Sequence, residues 1–278
     1  MSSFSAVPKD RVREYWNARP CNVRHSTLPI GSKEYFEAVA DRKYFVEYHI
    51  PGFAEFDRWA GKRVLEVGCG LGTATVSFAL AGAQVTAVDM STESLALARQ
   101  NADTRGVGDR ITFIEADAEE LTEYVDPQPY DLVYSFGVIH HTPSPERAIR
   151  EMRRFLNPGG VLKLMVYNRW SAKVMRIIAE EGNGRFWAHE RLVANASEAQ
   201  SGCPITYTYT RRSGRRLVES AGFRVDDIHA DHIFPYRIPE YVQYNYVKRF
   251  PMDKLTYRET RLLERILGWH LCITGHAV

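Results

Sequence analysis

The sequence predicts an α/β fold, a doubly wound and mostly parallel sheet with helices on both faces. Three observations predict it. Val64 to Asp89 reads as strand, glycine turn, helix, strand. Short β-rich runs then alternate with helical stretches as far as Val166. Near the C-terminus a helix over Leu217–Phe223, stopped by Gly222, leads into a strand from Arg224 to Ala230, and Trp269–Thr274 is a last apolar strand.

In the first unit Val64, Leu65 and Val67 are the strand, and Gly68, Gly70 and Gly72 turn the chain. Glycine lets the backbone approach a ligand closely, and a helix from Thr73 to Leu80 presents free N–H groups at its start. Gln84 to Val88 is the second strand, with Asp89 at its carboxyl end, 21 residues past Gly68. An acid about 20 residues downstream suits a ribose, because one carboxylate can accept both hydroxyls. The spacing separates the nucleotides. A dinucleotide fold wants G-x-G-x-x-G, and this chain has Thr73 where the third glycine would fall. Glu66, two residues before Gly68, would repel a pyrophosphate and attract a ligand with an amino group and a sulfonium cation.

Glu66-Val67-Gly68-Cys69-Gly70-Leu71-Gly72 with Asp89 resembles the first motif of the class I S-adenosylmethionine-dependent methyltransferases, E/D-x-G-x-G-x-G. Later segments follow that family in order over about residues 62 to 168. A third strand, Ile111–Ile114, runs into Glu115-Ala116-Asp117-Ala118, where the resemblance implies that Asp117 takes the adenine amino group beside the Ala118 backbone. A fourth strand, Asp131–Ser135, opens into Phe136-Gly137-Val138-Ile139-His140-His141. Pro145–Leu156 reads as a helix with proline in its first turn, ended by Asn157-Pro158-Gly159-Gly160 before a fifth strand over Val161–Val166. The resemblance implies a Rossmann-like sheet of seven strands with the last antiparallel, and S-adenosyl-L-methionine as cofactor. The implied cofactor residues are Glu66, Gly68, Cys69, Gly70, Gly72, Asp89, Met90, Asp117, Ala118 and Ser135.

Outside that core lie the segments expected to hold substrate. Residues 1–60 are expected to form an N-terminal helical lid, with a short helix around Asp10–Asn17 and an aromatic one over Ser32–His49. Residues 61–278 form the main domain, with cap insertions at about 169–210 and 232–267. The second insertion is rich in tyrosine, places Pro239 at a helix start and opens a last helix with the capping pattern Thr256-Tyr257-Arg258-Glu259. Aromatic caps sandwich flat substrates or surround cations.

Methyl transfer needs a base only where the acceptor arrives protonated, as a hydroxyl or an ammonium does. His141 and His140 are the foremost candidates, followed by Tyr15 and Tyr209, then Tyr207, His229 and His232. The same residues read equally as scaffold. The cluster Arg211, Arg212, Arg215 and Arg216 suits either an RNA backbone or a solvated helix face.

Composition bounds the partners. At 278 residues, 45% hydrophobic and a net charge of +2, the chain can bury one full core and has no need of a polyanion. Cys21, Cys69, Cys203 and Cys272 are scattered without C-x-x-C spacing, which predicts a reducing cytoplasm and no metal site. The reading is methyl transfer to oxygen or nitrogen of a small planar or aromatic molecule, with no membrane and no nucleic-acid partner; the oligomeric state is left open. The alternatives are a peptide or RNA methyltransferase, a nicotinamide-dependent oxidoreductase and an inactive binding module.

Overall fold

A computed structural model describes residues 4–196 and 202–278. Its centre is a seven-stranded sheet in the order β3-β2-β1-β4-β5-β7-β6. The strands are β1 (Arg63–Val67), β2 (Gln84–Asp89), β3 (Ile111–Glu115), β4 (Tyr130–Phe136), β5 (Leu156–Tyr167), β6 (Phe223–Asp231) and β7 (His270–Ala277). β1 to β5 are mutually parallel, whereas β7 runs antiparallel to both β5 and β6 and lies between them. The doubly wound seven-stranded sheet is therefore present as the sequence predicts.

Strand periodicity sorts the core into two layers. On β1, Leu65 and Val67 face a cluster with Val133, Leu162, Leu164 and Ile149. Val64 faces the other side, with Val85, Ala87, Leu132 and Phe78. Helices α4 (Thr73–Leu80) and α5 (Thr92–Thr104) cover this second face, with α2 (Lys33–Val46) packed outside them. α1 (Lys9–Ala18) lies beside α5.

Some boundaries differ from the sequence reading. The aromatic helix over Ser32–His49 breaks after Val46, and a separate short helix, α3 (His49–Ala54), follows. After α6 (Leu121–Tyr124), α7 (Pro145–Arg153) stops short of Leu156, because Leu156 already pairs with Tyr130 across the sheet. Asn157 to Gly160 thus lie inside the long β5, where the register with β4 shifts. The first cap segment holds α8 (Ala172–Glu180) and α9 (His189–Asn195); its residues 197–201 fall outside those described. α10 (Arg211–Glu219) carries the arginine cluster as a solvated face, with Arg215 on Glu219 and Arg211 on the Arg265 carbonyl. The second cap holds α11 (Ile238–Val242) and α12 (Tyr257–Leu267), the latter with the full capping box of Thr256 and Glu259.

Two ionic ties fix the outer segments to the sheet. Buried Lys163 on β5 donates to the Phe53 carbonyl at 2.6 Å and to Glu55, pinning the end of α3. Arg261 of α12 grips both oxygens of Asp231 at 2.6 and 2.7 Å and also reaches Glu264. Burial would raise the Asp231 pKa, but the Arg261 hydrogen bonds outweigh it and hold the carboxyl below its ordinary range. Glu264, in turn, accepts from the Tyr48 hydroxyl. Removing Arg261 leaves two buried carboxylates without their cation. Arg261→Met should therefore destabilise the protein by about 3 kcal/mol, the low end for a broken buried pair because the guanidinium is partly exposed. Urea unfolding checks this; a loss below about 1 kcal/mol, the surface-pair range, would show that the fork contributes little.

Candidate active site

Strand order reverses between β1 and β4, and the loops leaving the two strands part there to form a crevice. The crevice deepens into a cavity of about 460 Å³ at the carboxyl end of the sheet. Its floor is Gly68–Leu71, Asp89, Met90 and Phe136–Val138, and its far walls are Tyr167, Trp269, His232 and His270. α1 and the loop after it cover it with Val12, Trp16, Cys21 and Asn22.

The glycine turn is built for close approach. Gly68 has φ +81°, and a Cβ there would meet Val138 Cγ2 at 2.2 Å, so only glycine lets the loops after β1 and β4 touch. A Cβ on Gly70 would meet nothing within 4 Å, which leaves open space beside that residue. The turn is self-braced: Gly68 and Cys69 donate to the Val88 carbonyl, and Gly72 donates to Cys69. α4 begins directly after it with no side-chain cap, so its first N–H groups remain available for an anionic group.

Asp89 ties the turn to β2. One carboxylate oxygen accepts from Gly70 N–H at 2.8 Å and the other from Ser91 N–H at 2.9 Å. Each oxygen keeps a second acceptor position. Burial raises the Asp89 pKa, while these N–H donors pull the other way.

Several residues that the sequence assigns to the cofactor stand elsewhere. Glu66 points to the α4 face, as its alternation with Leu65 and Val67 requires, and accepts the Thr75 hydroxyl at 2.5 Å. It is not a cavity wall, and burial lifts its pKa to about 7. Asp117 is engaged by Lys9 of α1 at 2.7 Å and accepts the Glu119 N–H; it too is off the wall. Lys9 also meets Glu119 and Glu120. Burial would lower the lysine pKa, but Asp117 and Glu120 hold it above its ordinary range. Ala118 is part of the apolar core, and the Ser135 hydroxyl donates to the Val67 carbonyl at 3.0 Å, tying β4 to β1. Gly68, Cys69, Gly70, Asp89 and Met90 do line the cavity. Gly72, at φ +72°, sits at the α4 N-cap against Ala98.

The paired histidines follow β4 as a 3-10 turn, Ile139–His141, and both are buried. His141 Nδ1 lies 2.7 Å from the Ile205 carbonyl, so that nitrogen carries the proton and Nε2 the lone pair. His141 lines the cavity, although its Nε2 is closed to bulk solvent and has no partner among the described residues. Burial depresses the His141 pKa to about 4, which keeps the ring neutral through the physiological range. Trp16 packs edge-on against it at 5.3 Å. His140 is wedged between His141 and Tyr167, with ring centroids 4.2 and 3.9 Å away, and burial pushes its pKa well down.

The remaining candidates divide. Tyr15 donates to the Gly202 carbonyl, Tyr209 packs between two core clusters, and Tyr207 bonds to His140 and Pro143 carbonyls; none is a cavity wall. His229 sits on β6 against Asp227, away from the cavity. His232 alone of these weaker candidates reaches the wall.

The sequence reading missed the polar residues that line the cavity from outside the motifs. Lys43 and Glu47 come from α2 and its end, Lys173 and Arg176 from α8, Arg249 from the second cap, and His270 from β7. Arg249 is half-buried, and burial with Arg176 beside it lowers its pKa. Lys173 lies over the Trp269 and Tyr167 rings at 4.3 and 5.8 Å. Only the fold brings them together; the one available signal was a cationic pair one helical turn apart on α8, Lys173 and Arg176.

Comparison with known proteins places this geometry. Residues 65–164 match the family described as methyltransferase domain. The chain is 36% identical over 122 residues to a ubiquinone biosynthesis O-methyltransferase of Photorhabdus laumondii, covering 44% of this chain and 50% of that protein. A protein of the same name from Vibrio cholerae is 38% identical over 109 residues, 39% of this chain and 43% of that one. The chain thus spans about half the length of these curated relatives. Among solved structures, the magnesium protoporphyrin IX methyltransferase of Synechocystis with bound S-adenosylhomocysteine superposes with TM-score 0.61 at 14% identity, over 98% of this chain and 100% of that one. A [4+2]-cyclase does so with TM-score 0.54 at 19% identity, over 99% and 96%. No described helix is long and apolar enough to cross a membrane. Residues 65–164 are therefore a methyltransferase domain, set in the seven-stranded sheet of the class I S-adenosylmethionine-dependent methyltransferases.

Proposed function

We propose that this protein transfers the methyl group of S-adenosylmethionine to an oxygen or nitrogen of a small, planar molecule that carries an acidic group. One observation carries this reading. The glycine turn with Asp89, the aromatic walls and the cations Lys173, Arg176 and Arg249 all border one cavity. Its volume falls in the range of small-molecule sites, which favours an enclosed substrate over a peptide or RNA strand.

The residues fit the cofactor. Asp89 has two acceptor positions to spare for ribose hydroxyls, and the uncapped start of α4 and the space at Gly70 take a carboxylate-bearing chain. When bound, the sulfonium supplies an already activated methyl group. The protein then has to orient the acceptor and exclude water. Trp16 and the first helices act as the lid, with Lys9 latched on Asp117. Tyr167 and Trp269 stack at 3.9 Å and offer a flat wall, while Arg176 and Arg249 hold the acidic group. His141 borders the cavity with Nδ1 anchored on the Ile205 carbonyl, and it serves as a positioning residue of the loop after β4. Glu66 serves the α4 face and not the ligand.

Three outcomes follow. Asp89→Ala should weaken S-adenosylhomocysteine binding about tenfold to a hundredfold, the worth of hydrogen bonds to a charged acceptor. Unchanged affinity in a folded variant, by calorimetric titration, rules the ribose role out.

Arg249→Ala should raise KM for an acid-bearing acceptor at least about tenfold while leaving cofactor affinity alone, since charge-assisted contacts are worth more than one such factor. The acceptor comes from a screen of phenolic and heterocyclic acids, scored by S-adenosylhomocysteine release. Neutral analogues turned over as well as the acids would refute the anionic subsite.

For Glu66 the sign is set by its raised pKa. The folded state holds the proton up to about pH 7, the unfolded state only to about 4.5. Its contribution is full below the lower value and is lost as pH rises through the upper one. Glu66→Gln should therefore gain stability relative to wild type between pH 5 and 8, by up to about 3 kcal/mol at 1.36 per pKa unit. A difference in unfolding free energy that stays flat with pH would contradict this assignment.

A further inference from the structure

Glu47, His232 and His270 bring one carboxylate and two imidazoles to a single point of the cavity wall, with a donor atom of each within 4.8 Å of the others. They come from three unrelated places: the end of α2, the residue after β6 and the start of β7. A fourth ring stands behind them. His270 Nδ1 lies 3.0 Å from His49 Nε2, while its Nε2 faces Glu47 Oε1 at 3.7 Å.

His232 is held in place with care. Its φ of +64° is left-handed, uncommon for a residue with a side chain. The conformation is fixed from both sides: its N–H donates to Asp231 Oδ1 at 2.7 Å, and its carbonyl accepts from Trp269 at 2.7 Å. Asp231 is itself clamped by Arg261. A hydrogen-bonded histidine core explains only the His49–His270 contact. Among the described residues, His232 Nδ1 and His49 Nδ1 have no partner though both are closed to solvent, and such orphaned buried groups are costly.

We propose that Glu47, His232 and His270 bind a divalent first-row transition cation, with His49 as the outer partner of His270. Two imidazoles and a carboxylate are donors that suit Zn(II), Fe(II) or Mn(II), whereas Mg(II) prefers an all-oxygen set. A ring whose second nitrogen meets another polar group is the usual arrangement of a metal-bound histidine. Three protein ligands leave positions open on the cavity side for a substrate oxygen. The consequence for catalysis rests on the methyl-transfer reading. An acceptor hydroxyl bound there releases its proton to water, the oxygen lone pair bonds the methyl carbon, and the carbon–sulfur bond breaks with its electrons to sulfur. The cation thus provides the activation of the acceptor hydroxyl.

The test uses the full chain stripped with chelator and titrated separately with Zn(II), Mn(II), anaerobic Fe(II) and Mg(II). Metal retained after gel filtration is counted by mass spectrometry, and the melting temperature is followed alongside. One transition ion per chain with a raised melting temperature is expected, and no retention of Mg(II). Glu47→Gln, on a partly exposed residue, and His270→Ala should lose stoichiometric retention; His49→Ala should weaken it about 10–100-fold, as outer partners do. No retention by wild type, or equal retention by Glu47→Gln and His270→Ala, overturns the site. Titrating wild type with S-adenosylhomocysteine, with and without metal, keeps the two readings apart. Cofactor binding without metal retention removes the cation alone, and metal retention without cofactor binding upholds the cation while removing methyl transfer.

Discussion

The reversal of strand order between β1 and β4 is the constraint from which the rest of this molecule follows. Neighbouring crossovers leave in opposite directions there, so the loops after those strands separate and expose backbone at the carboxyl edge. Exposed backbone needs partners, and Asp89 supplies them by bracing Gly70 and Ser91. The crevice also needs a roof. α1, the end of α2 and both cap segments converge on it although they lie far apart in the chain, and three charged contacts tie outer segments down: Lys9 of α1 on Asp117, Lys163 on Glu55 after α3, and Arg261 of the second cap on Asp231.

Charge is distributed unevenly around that crevice. Acids near the glycine turn are buried on backbone or hydroxyl donors, whereas the far wall carries Lys173, Arg176 and Arg249. Between them lies a belt of histidines, His49, His140, His141, His232 and His270, all shifted by burial toward the neutral form. A cavity of this kind attracts anions at one end while its histidines stay neutral, the form in which imidazole binds a metal ion.

The sheet was legible in the sequence because each strand carries its own local signal, β-branched runs closed by glycine or an acid. Thr73–Leu80 and the Thr256 capping box were legible for the same reason, since caps and turns act within a few residues. The start of β5 was not: Asn157 to Gly160 look like a turn, and only pairing of Leu156 with Tyr130 makes the segment extended. Gly68, Cys69, Gly70, Asp89 and Met90 were readable as wall residues because a motif fixes their spacing. Asp117 and Ser135 match by position, yet Lys9 and the Val67 carbonyl, remote in sequence, claim their polar atoms. Glu47, Lys173 and His270 carry no motif at all, and tertiary structure alone brings them together.

The placement of β7 bears on how the chain is made. β6 has no sheet neighbour other than β7, and β7 also supplies the outer partner of β5. During synthesis, then, β1 to β5 can pair while the ribosome is still working, but Phe223–Asp231 must wait as an unpaired edge until residues 270–277 have cleared the exit tunnel. The cap that follows β6 waits with it, so the pocket takes shape only once β7 has been made.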